Sequence, residues 1–167
     1  WMERRGISPE DFALNHPAGS LGKQLTLTAA DLMVPVERLQ TLQPATPLPE
    51  LIAHLTADGV GACWVACQED GTRIHGLITD GDLRRALQSY APDAWSGLTA
   101  ADLMTPDPIT VLTSTLAIEA LERMERNRRK AIAVLPVVDD EQRMRGLLRL
   151  HDLVQAGLTP RHQAPAG

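Results

Sequence analysis

Ile74-His75-Gly76-Leu77-Ile78-Thr79-Asp80-Gly81-Asp82-Leu83-Arg84-Arg85 is the stretch whose reading decides the fold. Apolar residues lead through a Gly to a hydroxyl at Thr79, and a carboxylate follows three residues later at Asp82. This pattern predicts a short buried strand that stops at Thr79 and a helix that starts near Asp80. Thr79 or Asp80 can cap the first turn, with Leu83, Ala86 and Leu87 facing inward. A strand running into a helix N-terminus leaves free backbone N–H groups and a positive dipole end, which suits a phosphate. A carboxylate in that first turn can accept both hydroxyls of a ribose. The geometry reads as a mononucleotide cradle. The plain alternative is a helix cap in a module that binds nothing.

The chain repeats itself around this element. Ala29-Ala30-Asp31-Leu32-Met33 recurs as Ala100-Ala101-Asp102-Leu103-Met104, an offset of 104 − 33 = 71. Gly76…Asp82-Leu83 recurs as Gly146…Asp152-Leu153, an offset of 146 − 76 = 70. Two matched segments at nearly one offset identify an internal duplication, which has to be settled before a fold is assigned.

Each copy has the same expected order. The first has a strand near Leu39–Leu42 and a helix from Pro49 to Asp58 with Leu48, Leu51, Ile52 and Leu55 on its apolar face. A strand Ala62–Cys67, a hairpin turn at Glu69-Asp70-Gly71, a strand Arg73–Thr79 and a helix to about Tyr90 complete it. The second has a strand Ile109–Leu112, then a helix capped by Thr113 or Ser114 that buries Ala117, Ala120, Leu121 and Met124. Strand Ala131–Val138, a turn over residues 139–142, strand Met144–Arg149 and helix His151–Leu158 follow. The repeat is β-α-β-β-α, an α/β (α+β) unit too small to be comfortable alone, so two copies are expected to pack as a pseudo-two-fold pair.

The totals narrow the function classes. A chain of 167 residues, 44% apolar and 22% charged, has the composition of an ordinary soluble globular protein. Aromatics are 3%, so Leu, Val, Ile, Ala and Met must build the core. A net charge of −5 argues against nucleic acid as a partner. No apolar run reaches membrane-spanning length and no signal peptide is visible, so the expected location is cytoplasmic and no membrane partner is expected. Cys63 and Cys67 share a strand face, too far apart to bridge, and with no second Cys/His pair nearby they are read as reduced thiols and not as a metal site. Trp at position 1 reads as a fragment boundary. The expected domains are residues 1–28 (a helix end and linker), 29–95, 96–158 and a disordered tail, 159–167.

A tandem β-α-β-β-α unit ending in Gly-apolar-apolar-Thr-x-x-Asp-Leu resembles a pair of CBS domains, a Bateman module. Val134-Leu135-Pro136-Val137-Val138-Asp139 resembles the family's second-strand signature. The resemblance implies that the Ser/Thr contacts phosphate or ribose and the Asp holds the ribose hydroxyls of an adenosine ligand. Carried over, these roles fall on Thr79 and Asp82, with Gly76 and Pro136 in the segments that bear the resemblance; Arg84 and Arg85 can reach phosphates, or are a solvated pair on an exposed helix face. In the second unit the carried-over roles fall on Asp152, with Arg149 at the hydroxyl position, where a guanidinium either holds a phosphate or fills the cleft and closes it.

Asp11-Phe12-Ala13-Leu14-Asn15-His16-Pro17-Ala18-Gly19-Ser20-Leu21-Gly22, followed by this repeat, is similar to the C-terminal half of D-arabinose 5-phosphate isomerases of the KpsF/GutQ type. Those join a sugar-isomerase (SIS) domain to two CBS domains through a His-Pro-x-Gly-x-Leu-Gly segment. The resemblance implies an active-site role for His16, in an aldose–ketose isomerisation that makes arabinose 5-phosphate for the lipopolysaccharide sugar Kdo. An imidazole titrating near neutral pH suits the proton transfers. The chain alone is expected to be inactive and to need no cofactor. AMP, ATP or CMP-Kdo are its expected regulatory ligands. An SIS domain and a homo-oligomer (a CBS dimer within a tetramer) are the expected partners. A purely structural, oligomerising module is the competing reading. The cluster Arg123, Arg126, Arg128, Arg129, Lys130, Arg143 and Arg145 suits an anionic ligand or partner, or is simply a solvated face.

Overall fold

The computed structural model describes residues 26–57, 59–127 and 132–159. Each repeat contributes a short opening helix, α1 (Ala29–Leu32) or α4 (Ala100–Leu103), and a two-residue strand, β1 (Val34–Pro35) or β5 (Thr105–Pro106). In the first repeat β2 (Thr41–Leu42), α2 (Leu48–Ala57), β3 (Ala62–Ala66), β4 (Ile74–Thr79) and α3 (Asp80–Ser89) follow. In the second they are β6 (Val111–Leu112), α5 (Ala117–Arg126), β7 (Val134–Val138), β8 (Met144–Arg149) and α6 (Leu150–Gln155).

The strands form two four-stranded sheets, ordered β2-β3-β4-β5 and β1-β8-β7-β6. Each sheet therefore takes its last strand from the other repeat. β5 lies antiparallel to β4 with Leu77 opposite Thr105 and Gly76 opposite Pro106. β1 lies antiparallel to β8 with Val34 opposite Leu147 and Pro35 opposite Gly146. The two registers correspond, which is the pseudo-two-fold relation read at the level of the backbone.

The glycines explain why the two repeated motifs travel together. A Cβ on Gly76 would lie 2.8 Å from Cγ of Met104, and one on Gly146 would lie 2.9 Å from Cγ of Met33 and 2.5 Å from the Val34 carbonyl oxygen. Each Gly is the socket for the Met that opens the other repeat. The crossing segments also satisfy the helix starts. Leu48 N–H donates to Leu98 O at 3.0 Å, and Ala117 N–H donates to Leu27 O at 2.8 Å. The expected cap of α5 by Thr113 or Ser114 is therefore replaced. Leu116 is the N-cap and makes no side-chain cap bond, because a backbone carbonyl from the other repeat takes the first orphan N–H.

Side-chain alternation divides the core in three. Cys63, Val65 and Ile78 pack with Leu51, Leu55 and the α4 residues Ala100 and Leu103. Leu135, Val137 and Leu148 pack with Leu121, Met124 and Ala29 of α1. The opposite faces of the sheets meet through Ala62, Trp64, Ala66, Leu77, Met144 and Leu147. Strand β3 is buried along its whole length because both of its faces are covered. β4 lies in this same doubly covered sheet. The expected hairpins form, each tied by an Asp at its turn. Asp70 accepts from Thr72 N–H at 3.0 Å and Asp139 from Arg143 N–H at 2.9 Å. The expected strand from Ile109 shortens to Val111–Leu112, and Ile109 is left 52% exposed. Cys63 is buried and Cys67 half-buried, and both are free thiols. The N-terminal 25 residues, with His16, and the tail from residue 160 fall outside the described residues.

Candidate functional site

The local structure at Thr79 follows from its sequence. Thr79 is extended (φ −113°, ψ 168°) and N-caps α3, and Asp82 closes a capping box back onto it. Asp82 Oδ2 accepts from Thr79 N–H at 2.9 Å and from Thr79 Oγ1 at 3.0 Å, while Asp82 Oδ1 accepts from Arg85 Nη2. Asp82 is only 9% exposed, so the carboxylate is held in one orientation before any ligand arrives. The chain uses the same Thr-x-x-Asp box at Thr28–Asp31 and Thr99–Asp102, where the carboxylates are exposed. Backbone and side-chain hydrogen bonds from Thr28 hold the Asp31 carboxyl below its usual range.

The Thr79 box differs from the other two in what it faces. A cleft of about 510 Å³ opens between the repeats. One wall is Gly61, Thr79, Asp80, Gly81, Asp82 and Arg85. The opposite wall is Asn127 and residues 132–135, at the entry to β7. Thr105, Asp107, Pro108 and Ile109, from the segment after the crossover, close a third side. The volume lies in the range of small-molecule sites. One end is polar, made of the first turn of α3 with its dipole; there the Asp80 N–H donates to Gly61 O at 3.2 Å and the Asp82 N–H to Thr79 Oγ1 at 3.4 Å. The other is apolar, through Ile109, Ile132, Val134 and Leu135. Asp107 reaches its place with a left-handed φ of 44°, which a short acidic side chain tolerates, and its N–H donates to His75 O at 3.1 Å. The described ionisable lining is Asp80, Asp82 and Asp107 against Arg85.

The sequence-derived site residues separate. Thr79 and Asp82 line the cleft. Arg84 is exposed on α3 and does not line it; its neighbour Arg85 does, because Asp82 and Arg85 are one helical turn apart. Gly76 and Pro136 are buried in β4 and β7 and serve packing, Gly76 as the Met104 socket. Arg149 and Asp152 are bound to each other, with Nε–Oδ2 at 2.7 Å and Nη2–Oδ1 at 3.0 Å. Arg123, Arg126, Arg143 and Arg145 are exposed and off the cleft, and residues 128–130 lie outside the described residues. Sequence reasoning missed Ile109, Asp107 and residues 132–135. The Pro106-Asp107-Pro108 run was a usable signal that no strand begins at Ile109. Among the described residues, no group of three or more His, Cys, Asp or Glu could hold a metal ion, and no helix is long and apolar enough to cross a membrane.

Comparison with known proteins follows the duplication. The CBS domain profile matches residues 29–89 and 100–159. The chain is 40% identical over 157 residues to arabinose 5-phosphate isomerase KdsD of Pseudomonas aeruginosa, covering 94% of this chain and 46% of that protein. It is 35% identical, with 94% and 45% covered, to KdsD of Escherichia coli K12. The chain thus spans about half the length of these curated relatives. The crystal structure of CBSX2 in complex with AMP superposes with a TM-score of 0.63 at 25% identity, covering 78% of this chain and 96% of that one.

Proposed function

The chain belongs to the CBS domain family, and we propose that its inter-repeat cleft binds an adenosine nucleotide or nucleotide sugar as a regulatory ligand. The observation that carries this is the placement of the Thr79–Asp82 box on this cleft, which the boxes at Thr28 and Thr99 do not line, with a polar helix N-terminus at one end and an apolar end opposite. A phosphate sits against the Gly81 backbone at the positive end of α3, a ribose against Asp82, and a base between Ile109 and the β7 entry. The AMP complex of CBSX2 supports the ligand class. The relatedness to KdsD proteins supports a wider reading, in which the module regulates an arabinose 5-phosphate isomerase, works beside an SIS domain and assembles as a homo-oligomer in the cytoplasm.

A structural, ligand-free module is the second reading, and the boxes at Thr28 and Thr99 favour it, since they show the same residues acting purely as caps. Thermal-shift and calorimetric titration with AMP, ATP, CMP and CMP-Kdo separate the two. Binding that is lost in Asp82→Ala supports the regulatory reading. Silence from all four, with Asp82→Ala merely less stable, leaves the structural one.

A further inference from the structure

The two repeats are alike in backbone and unlike at one position. Thr79 and Arg149 both end the second strand of their hairpin, both face the first residue of the preceding strand (Ala62 and Val134), and both are the N-cap of the next helix. Asp82 and Asp152 follow three residues later. From this difference we propose that Arg149 is a built-in plug of the notch related to the open cleft by the pseudo-two-fold, so that one chain binds one nucleotide and not two. The proposal rests on the nucleotide reading above.

In the first repeat, Asp82 is held by the Thr79 N–H and hydroxyl and by Arg85 from one helical turn further on, and the short Thr79 side chain lines the cleft beside it without filling it. Counting by the repeat offset, Gln155 stands where Arg85 would. In the second repeat the guanidinium therefore comes from the strand end, on the side where the ligand would lie. It takes both oxygens of Asp152 in a fork, at 2.7 and 3.0 Å, a planar bidentate match that two ribose hydroxyls do not equal. Its remaining nitrogen, Nη1, reaches the Gly59 carbonyl oxygen at 3.5 Å. Gly59 precedes β3 in the first repeat, on the rim that matches the β7 entry across the open cleft. Arg149 thus joins the same two walls, its own helix start and the other repeat's strand entry, that a nucleotide bridges in the open cleft. Both partners are half-buried, Arg149 at 26% and Asp152 at 21% side-chain exposure. The difference from the first repeat is bulk: a guanidinium, where Thr79 has a hydroxyl, fills the approach to the Asp152 carboxylate.

Isothermal titration of the full chain with AMP, and separately with ATP, counts the sites. The expected result is one equivalent per chain for the unaltered protein and two for Arg149→Thr, which restores the Thr-x-x-Asp box. The reciprocal variant Thr79→Arg transplants the plug into the open cleft and is expected to abolish binding with an unchanged circular dichroism spectrum, so the proposal stays testable even where Arg149→Thr folds poorly. Two equivalents on the unaltered chain overturn the plug, and so does a single equivalent on folded Arg149→Thr. No heat with either nucleotide on any of the three chains is a different failure, that of the nucleotide reading itself, and takes the plug with it.

Discussion

Replacing Gly76 by Ala tests the reciprocal sockets directly. The new Cβ would lie 2.8 Å from Met104 Cγ and 2.9 Å from Met104 Cβ, against the 3.5–4.0 Å or so at which carbons pack. Met104 must swing its Cγ and Sδ aside and the β4–β5 backbones must part slightly to free its Cβ, and overpacking of this kind costs roughly 1–3 kcal/mol. Met104→Ala alone removes a half-buried side chain from the first-repeat core, at a cost of roughly 2 kcal/mol. In the double variant the Cγ and Sδ contacts are gone but the Cβ kept at position 104 remains 2.9 Å from the added methyl, so the two changes should offset each other only in part, by about 1 kcal/mol. Gly146 behaves differently. There the added Cβ meets Met33 but also the Val34 carbonyl oxygen at 2.5 Å, a backbone atom held in the β1–β8 pair. Trimming Met33 cannot relieve that contact, and the coupling between Gly146→Ala and Met33→Ala should be below about 0.5 kcal/mol. Urea unfolding followed by far-ultraviolet circular dichroism and by the fluorescence of buried Trp64 measures both cycles. Equal coupling at the two glycines, or none at Gly76, would refute the reasoning.

The three Thr-x-x-Asp boxes make a matched set. Thr28→Ala, Thr79→Ala and Thr99→Ala should each cost about 1 kcal/mol in unfolding free energy, as lost N-caps do. Only Thr79→Ala should also weaken AMP binding in calorimetry; identical AMP affinity in all three variants would reduce Thr79 to a cap. Asp70 is held below its ordinary value of 3.8, first by the Thr72 hydroxyl and backbone N–H and then by Arg73 and Arg143. A depressed carboxylate contributes stability that is present above the unfolded value and lost as pH falls through the lower folded one. Thermal midpoints of Asp70→Asn should therefore fall less steeply than those of the unaltered chain below about pH 4. Parallel curves for the two proteins in that range would contradict the assignment.

The elements that sequence reading placed well are those set by neighbours three or four residues apart. Leu48, Leu51 and Leu55 are the buried face of α2, and Ala117, Ala120, Leu121 and Met124 of α5, as their helical spacing required. Thr79 and Asp82 form the box that their separation announces. The Asp82–Arg85 pair is equally legible from its spacing: Arg84 and Arg85 are both exposed, and only Arg85 is one turn from the carboxylate. The crossover was not legible. β1 and β5 are two residues long, too short to carry an alternation, and the partners they pair with lie in the other repeat.

From the sequence alone came the duplication, the β-α-β-β-α order and the chemistry at Thr79 and Asp82, because caps, hairpin turns and amphipathic faces are local interactions that the chain specifies within one or two turns. Only the tertiary structure decided that the repeats exchange their opening segments and that the β7 entry and Ile109 complete the cleft around Thr79. It also decided that Arg149 turns onto Asp152 rather than toward an empty notch. The crossover and the cleft depend on groups far apart in the chain, such as Leu77 with Thr105 and Val34 with Leu147, meeting across the interface, where burial and unpaired backbone N–H groups, not sequence spacing, choose the partner.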